Sequence, residues 1–199
     1  MRQTPPFTLY QLSKASQQTI KFFILLTLIV NGLVVKTLVA EEKNPLGLFN
    51  NLIGNWRIAD YSLNPDGEWQ AAGGADWNFY PILNGTAIQD DWIAPSLNKP
   101  APEQGRQFGT NIRIFNQKNK QWHMAWMANT GQKVDTFKAT EKDGKIIMMG
   151  DYQGKSTRIT FFDFKPNNFS WTMETENQQQ ASEKATWKVI YKIEGTRVK

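Results

Sequence analysis

The chain contains no cysteine and a single histidine, His123, among its 199 residues. The absence of cysteine excludes disulfide bonds, thiolate catalysis and lipid modification of a cysteine. One histidine without cysteine leaves few nitrogen or sulfur ligands for a transition metal, so we expect no metal and no cofactor. No G-x-S-x-G segment or glycine-rich phosphate loop is present either. The sequence therefore lacks most of the familiar signs of an enzyme.

The sequence also lacks an apolar run long enough to cross a bilayer. The longest run, residues 22–30, is about half of the ~20 residues that a membrane-spanning helix needs. Basic residues precede this run, and the small residue Ala40 follows it just before Glu41. This is the layout of a secretory signal peptide. We therefore predict that residues 1–40 are a signal peptide and that the protein is exported, periplasmic or secreted, with a retained anchor as the alternative.

A strong net charge is missing from the rest of the chain. Of the 23 basic and 18 acidic residues, four bases and no acids fall in residues 1–40. The other 159 residues thus carry 19 bases against 18 acids. A nearly neutral chain gives no support to nucleic-acid binding. Its length suits one domain with a sizeable core, and the sequence does not indicate an oligomeric state.

What the chain has in abundance is short segments of strand composition, separated by turn residues and containing all eight tryptophans. About ten such segments with almost no helical periodicity predict an all-β fold. We favour an antiparallel up-and-down β-barrel of about 8–10 strands, because closure removes exposed strand edges. Residues 41–53 would form a lead-in segment, and residues 54–199 would form the barrel domain.

The segment from Trp77 to Ile93 is the strongest local signal. Asn84-Gly85 at its centre favours a two-residue type I′ turn, and such a turn fixes the register of the two strands. Trp77 should then face Trp92, and Phe79 should face Asp90. Eight side chains would share the core-facing side, with Asp90 their one carboxylate: Trp77, Phe79, Pro81, Leu83, Thr86, Ile88, Asp90 and Trp92.

Several segments resemble known proteins. Gly54-Asn55-Trp56 is similar to the G-x-W signature of lipocalins. Together with D-G-E-W, the hairpin, F-G-T-N-I-R-I-F-N and W-H-M-A-W, it resembles an uncharacterised, mainly bacterial family of lipocalin-like (calycin-like) domains over most of residues 52–193. The resemblance implies a barrel in which Trp56 plugs the closed end under a basic residue from the chain's end. Arg197 is the first candidate for that residue and Lys192 the second. The family implies no established activity.

Asp90 is the best single candidate for a functional residue. A carboxylate between apolar side chains must be neutral, paired with a base or wetted, because burial of an unpaired charge is costly. We predict Arg158 as its partner. The alternative is structural: Asp90 would lie at the barrel mouth, or would accept a hydrogen bond from the backbone or from a tryptophan N–H.

These features predict a lipocalin-like protein that binds a small apolar or aromatic molecule inside the barrel. This requires a cavity of roughly 300 Å³ or more, with residues 95–107 as a lid. One alternative is an enzyme that uses Asp90 as general acid or base. Another is an interaction module with a filled core and an outward aromatic patch. A haem ligated by His123 is less favoured, because His123 should point outward. The predicted ligand-binding residues are Trp77, Phe79, Asp90, Trp92, Trp126, Arg158 and Trp171.

Overall fold

The computed structural model describes residues 44–177 and 186–199, so the predicted signal peptide lies outside the described residues. Among the described residues, no helix is long and apolar enough to cross a membrane. One 3₁₀ helix and eleven strands are found in this part of the chain. They are the 3₁₀ helix Gly47–Leu52, β1 Gly54–Leu63, β2 Trp69–Ala71, β3 Ala75–Ile82, β4 Ala87–Ala94, β5 Gln107–Asn116, β6 Gln121–Ala128, β7 Val134–Lys142, β8 Lys145–Tyr152, β9 Lys155–Lys165, β10 Asn168–Asn177 and β11 Thr186–Arg197.

The strands form one antiparallel barrel. From β3 to β11 each strand pairs with the next, and β1 pairs with both β3 and β11, which closes the sheet. The short strand β2 pairs with the end of β1 and stands outside this ring. Ten of the strands in the described residues thus make a closed up-and-down barrel, which confirms the predicted fold class.

The β3–β4 hairpin has the predicted register. Trp77 faces Trp92 and Phe79 faces Asp90. Asn84 and Gly85 have φ angles of 54° and 78°, and the Thr86 N–H donates to the Leu83 carbonyl at 3.2 Å, as a type I′ turn requires. The predicted core face is too long, because the hairpin tip projects beyond the packed interior. Five of its eight side chains are buried, whereas Pro81, Leu83 and Thr86 are exposed.

One end of the barrel is closed around Trp56. The indole is 1% exposed, its N–H donates to the Leu52 carbonyl at 2.6 Å, and its ring packs edge-on against Phe169. The Arg197 guanidinium lies 4.1 Å from the centre of the Trp56 ring. Its Nη1 also donates to the Ile53 carbonyl at 2.6 Å. The contact that the resemblance implied for Arg197 is present, whereas Lys192 lies over the Trp69 ring.

The lead-in segment completes this closed end. Phe49 of the 3₁₀ helix is fully buried, with its ring 4.9 Å from Trp122 and 6.2 Å from Phe161. The Glu141 carboxylate accepts hydrogen bonds from the Leu48 N–H at 3.0 Å and from the Trp122 indole at 3.1 Å. These bonds and ring contacts hold the 3₁₀ helix in place as the floor of the barrel.

Arg197→Ala should destabilise the protein by about 3 kcal/mol. The substitution removes a cation–π contact and charged hydrogen bonds to chain carbonyls, each worth about 1–2 kcal/mol. Arg197→Lys should recover only part of this, because an ammonium lacks the planar fork of donors. Urea unfolding measures the effect, with Lys199→Ala as control. A loss below about 1 kcal/mol would show that the contacts of Arg197 with Trp56 and the chain carbonyls contribute little to stability.

Candidate functional site

The barrel contains a cavity of about 270 Å³. Its wall is mostly aromatic, with four tryptophans, two phenylalanines and two tyrosines. The volume lies slightly below the roughly 300 Å³ that the ligand-binding prediction required. It is larger than the ~150 Å³ of an engineered apolar cavity that binds benzene. The cavity therefore has the size for a molecule of one or two rings.

Four of the predicted site residues line this cavity: Trp77, Trp92, Trp126 and Trp171. Trp77 and Trp92 meet edge to face, with ring centroids 5.2 Å apart. The ring of Trp126 lies directly over Gly109, where a Cβ atom would be 2.6 Å from Trp126 Cζ2 and closer still to Cη2. Gly109, which the sequence analysis missed, is therefore required for the position of Trp126. Ligand binding by these side chains stays a prediction.

The polar part of the cavity is formed by Arg113, which the sequence analysis also missed. Arg113 is 1% exposed and lines the cavity. Its Nη1 contacts Oδ2 of the fully buried Asp90 as an ion pair. Its guanidinium carbon lies 5.3 Å from the ring centres of both Phe49 and Phe79. Two aromatic rings and a carboxylate thus fix the guanidinium in one position.

Arg158, the predicted partner of Asp90, lies on the outer face of the barrel. It forms an ion pair with Glu174, with Nε 2.6 Å from Oε2, and it packs over the Trp187 ring. The prediction of an Asp90–Arg158 pair is wrong. Ile159 and Phe161 of β9 face inward, so strand alternation turns Arg158 outward.

Asp90 itself does not line the cavity, and neither does Phe79. Both lie behind Arg113 and Trp77, with Phe79 4.7 Å from the Trp77 ring. Burial raises the pKa of the Asp90 carboxyl, whereas the Arg113 guanidinium and the Trp77 indole N–H lower it. A general acid or base must reach the proton that it transfers, so this position does not support catalysis by Asp90.

Several polar atoms around the cavity are buried without a hydrogen-bond partner among the described residues. They include Nε of Arg113 and Oδ1 of Asn111. A buried donor or acceptor that stays unpaired costs about 1–3 kcal/mol. Arg113 and Asn111 lie on the same face of β5, and both line the cavity. This part of the wall is therefore suited to the polar end of a ligand.

A second polar contact holds Tyr191 in the wall of the cavity. The Tyr191 hydroxyl donates to Oδ2 of Asp60, and Oδ1 of Asp60 accepts the Gly74 N–H at 2.7 Å. Asp60 is 4% exposed. Burial, followed by the hydrogen bond to Asp60, raises the pKa of Tyr191. Asp60 shares the inward face of β1 with Trp56 and Ile58, a pattern visible in the sequence that the sequence analysis did not use.

The segment predicted as a lid is attached to the outer face of the barrel. Asp76 of β3 accepts hydrogen bonds from the Ser96 hydroxyl at 3.0 Å and from the Leu97 N–H at 2.7 Å. Within 95–107, only Gln107 lines the cavity. Its side-chain oxygen accepts a hydrogen bond from the Trp92 indole at 3.1 Å. These contacts support a role for Gln107 in the wall of the cavity, but they do not support a lid.

His123 and the exposed apolar side chains relevant to the interaction-module hypothesis lie on the outer face of β5 and β6. His123 points outward, with Nε2 3.3 Å from Nδ2 of Asn119. Phe108, Ile112 and Ile114 are exposed on this side. The hypothesis of an interaction module required a filled core as well as an apolar surface. The cavity inside the barrel argues against that hypothesis.

No protein-family model matches the chain, and no curated protein matches its sequence. Solved structures do resemble it. The S-type phycobiliprotein lyase CPES from Guillardia theta aligns with a TM-score of 0.54 and 12% identity, over 79% of this chain and 94% of that one. The protein Rv2717c from M. tuberculosis aligns with a TM-score of 0.50 and 9% identity, over 78% and 98%. At such identities the likeness shows the fold alone, which is a lipocalin-like, calycin-type barrel.

Proposed function

We propose that this barrel binds a small aromatic molecule in its interior. The observation that carries the proposal is the cavity of about 270 Å³, whose wall includes four tryptophans. Concave, mostly apolar sites with a few convergent polar groups are the usual form of small-molecule sites. The volume suits a ligand of about two fused rings, by comparison with the ~150 Å³ cavity that holds benzene.

The ligand would be recognised by the aromatic rings of the cavity wall and by the polar side chains of β5. Trp77 and Trp92 already meet edge to face, and a planar ligand beside them gains about 0.5–1.5 kcal/mol for each such ring pair beyond its area burial. Arg113 and Asn111 would orient the polar end of the ligand. Arg113 and Asn111 thus take the place of Asp90 and Arg158 as the polar ligand-binding residues.

Titration with two-ring compounds tests the proposal. Naphthalene-2-carboxamide should bind at one site with a Kd on the order of 10 µM, from about 0.5 kcal/mol per non-hydrogen atom. Tryptophan fluorescence should change on binding, because four of the eight tryptophans line the cavity. A pyrene carboxamide with four fused rings should not bind at the same concentrations. Failure of every one- and two-ring compound to give a saturable signal would refute the proposal.

We also propose that the protein is exported. The basic start, the short apolar run and Ala40 support cleavage before Glu41. The intact mass of the protein from its own host tests this. The expected mass is that of residues 41–199, and the mass of the uncleaved chain would contradict cleavage and favour the retained anchor.

A further inference from the structure

The described residues contain three fully or almost fully buried ionisable side chains: Asp60 at 4%, Asp90 at 0% and Arg113 at 1% exposure. Two of them are acids and one is a base. Asp60 is bound to the Tyr191 hydroxyl and to a backbone N–H. The buried groups around the cavity therefore do not supply a surplus positive charge for an anionic ligand.

The positive charge of Arg113 is already balanced. An arginine side chain does not lose its proton in proteins, and a buried charge without a counter-ion costs several kcal/mol. Asp90 is in direct contact with Arg113 Nη1 and is its counter-ion among the described residues. Because Asp90 lies behind Arg113 and does not line the cavity, a ligand would meet the donors of an ion pair that is neutral as a whole.

The donors of Arg113 that remain are suited to an uncharged acceptor. Nε is buried without a hydrogen-bond partner among the described residues, and the guanidinium is held between Phe49 and Phe79. Because Arg113 lines the cavity, a ligand carbonyl could accept a hydrogen bond from its guanidinium without bringing a charge. A ligand carboxylate would be a third buried anion beside one buried cation. Its attraction to Arg113 would not offset the cost of its desolvation.

We propose that the cavity selects uncharged aromatic ligands with a carbonyl-type acceptor and discriminates against aromatic carboxylates. This inference rests on the proposed function and specifies its ligand class. The Asp90–Arg113 pair sets the selection: Asp90 fixes the charge of the site, and Arg113 supplies the donor.

Calorimetric titration with three ligands of one shape tests the selection. The ligands are naphthalene-2-carboxamide, 2-naphthoate and (2-naphthylmethyl)ammonium, added to the protein at neutral pH. The carboxamide should bind at least tenfold more tightly than either charged compound. Asp90→Asn removes one negative charge at nearly constant shape, so 2-naphthoate should bind to this variant at least tenfold more tightly than to the wild type. Asp151→Asn is the matched control, because Asp151 is exposed on β8, and all three affinities should stay unchanged.

Each result separates the two proposals. Binding of the carboxamide to the wild type with equal or tighter binding of 2-naphthoate would overturn the selection and leave the binding function intact. Tightest binding of the ammonium compound would do the same. If none of the three ligands binds to the wild type, the proposed function itself fails. Circular dichroism checks that Asp90→Asn is folded. The three ligand affinities of the wild type test the proposed selection even without that variant.

Discussion

Arg113→Met is expected to destabilise the protein by about 3–5 kcal/mol, because removal of one partner of a buried ion pair leaves the other charge uncompensated. Methionine fills a similar volume, so the loss comes from Asp90, which is fully buried, and not from a cavity. For a domain of this size the melting temperature should fall on the order of 10 °C. Urea unfolding gives the free energy directly.

The loss should depend on pH in a defined direction. Burial raises the pKa of the Asp90 carboxyl, and Arg113 is the largest influence that lowers it. Without Arg113 the folded-state pKa rises further above the value of about 3.9 in an unfolded chain. Between these two values the folded state binds more protons than the unfolded state, so stability falls as the pH rises. The stability of the variant should be closest to that of the wild type near pH ~4 and should fall further below it toward neutral pH.

Arg158→Met is the matched control for this experiment. Arg158 also pairs with a carboxylate, that of Glu174, but on the outer face, where such pairs contribute about 0–1 kcal/mol. Equal losses in the two variants would contradict the inward position of Arg113. A buried pair is often replaceable by apolar residues at no loss of stability. Asp90→Leu combined with Arg113→Met should therefore recover much of the loss, which would indicate that the pair serves ligand recognition.

Gly109→Ala is expected to weaken binding of naphthalene-2-carboxamide at least tenfold. A Cβ atom at this position would lie 2.6 Å from Trp126 Cζ2, and closer still to Cη2. The strand backbone of β5 is held by β4 and β6, so the indole ring must move, and the cavity is beside it. The overpacking should also cost about 1–3 kcal/mol of stability.

Gly131→Ala is the control for this variant. Gly131 lies in the turn after β6, where the nearest atom to an added Cβ is 3.8 Å away. Binding and stability should both stay close to the wild type. Unchanged affinity in Gly109→Ala would show that Trp126 does not bound the ligand site.

Much of the fold could be predicted from the sequence because its signals are local. Asn84-Gly85 sets the turn and the register of β3 and β4 through backbone sterics, and the observed pairing follows from them. Turn residues between the other strand segments gave an antiparallel barrel for the same reason. The position of Arg197 over Trp56 followed from the resemblance carried by Gly54-Asn55-Trp56.

The polar part of the site could not be predicted because β5 reverses the usual pattern. Ile112 and Ile114 suggest an inward apolar face, yet both are exposed, at 36% and 45%. Asn111 and Arg113 face inward in their place. Their position depends on the cross-strand pairing of Asn111 with Asp90, a tertiary contact that alternation within one strand does not contain.

Strand irregularity is a second reason why alternation along one strand does not give the face of every side chain. Strict alternation would place Trp187 on the same face as Tyr191 and Ile193. The pairing of β10 and β11 shifts register, with Met173 opposite Tyr191 and Glu174 opposite Val189. The additional residue turns Trp187 to the outer face, where Arg158 packs over its ring. A bulge of this kind reverses the alternation, so side chains on its two sides follow opposite in–out patterns.

Native mass spectrometry of the protein purified from its own host tests the central claim most directly. We predict a one-to-one adduct whose mass corresponds to a molecule of one or two rings. The adduct should be absent from Gly109→Ala prepared in the same way and present in Gly131→Ala. An adduct too large for a cavity of about 270 Å³, or a bare wild-type chain indistinguishable from Gly109→Ala, would contradict the account.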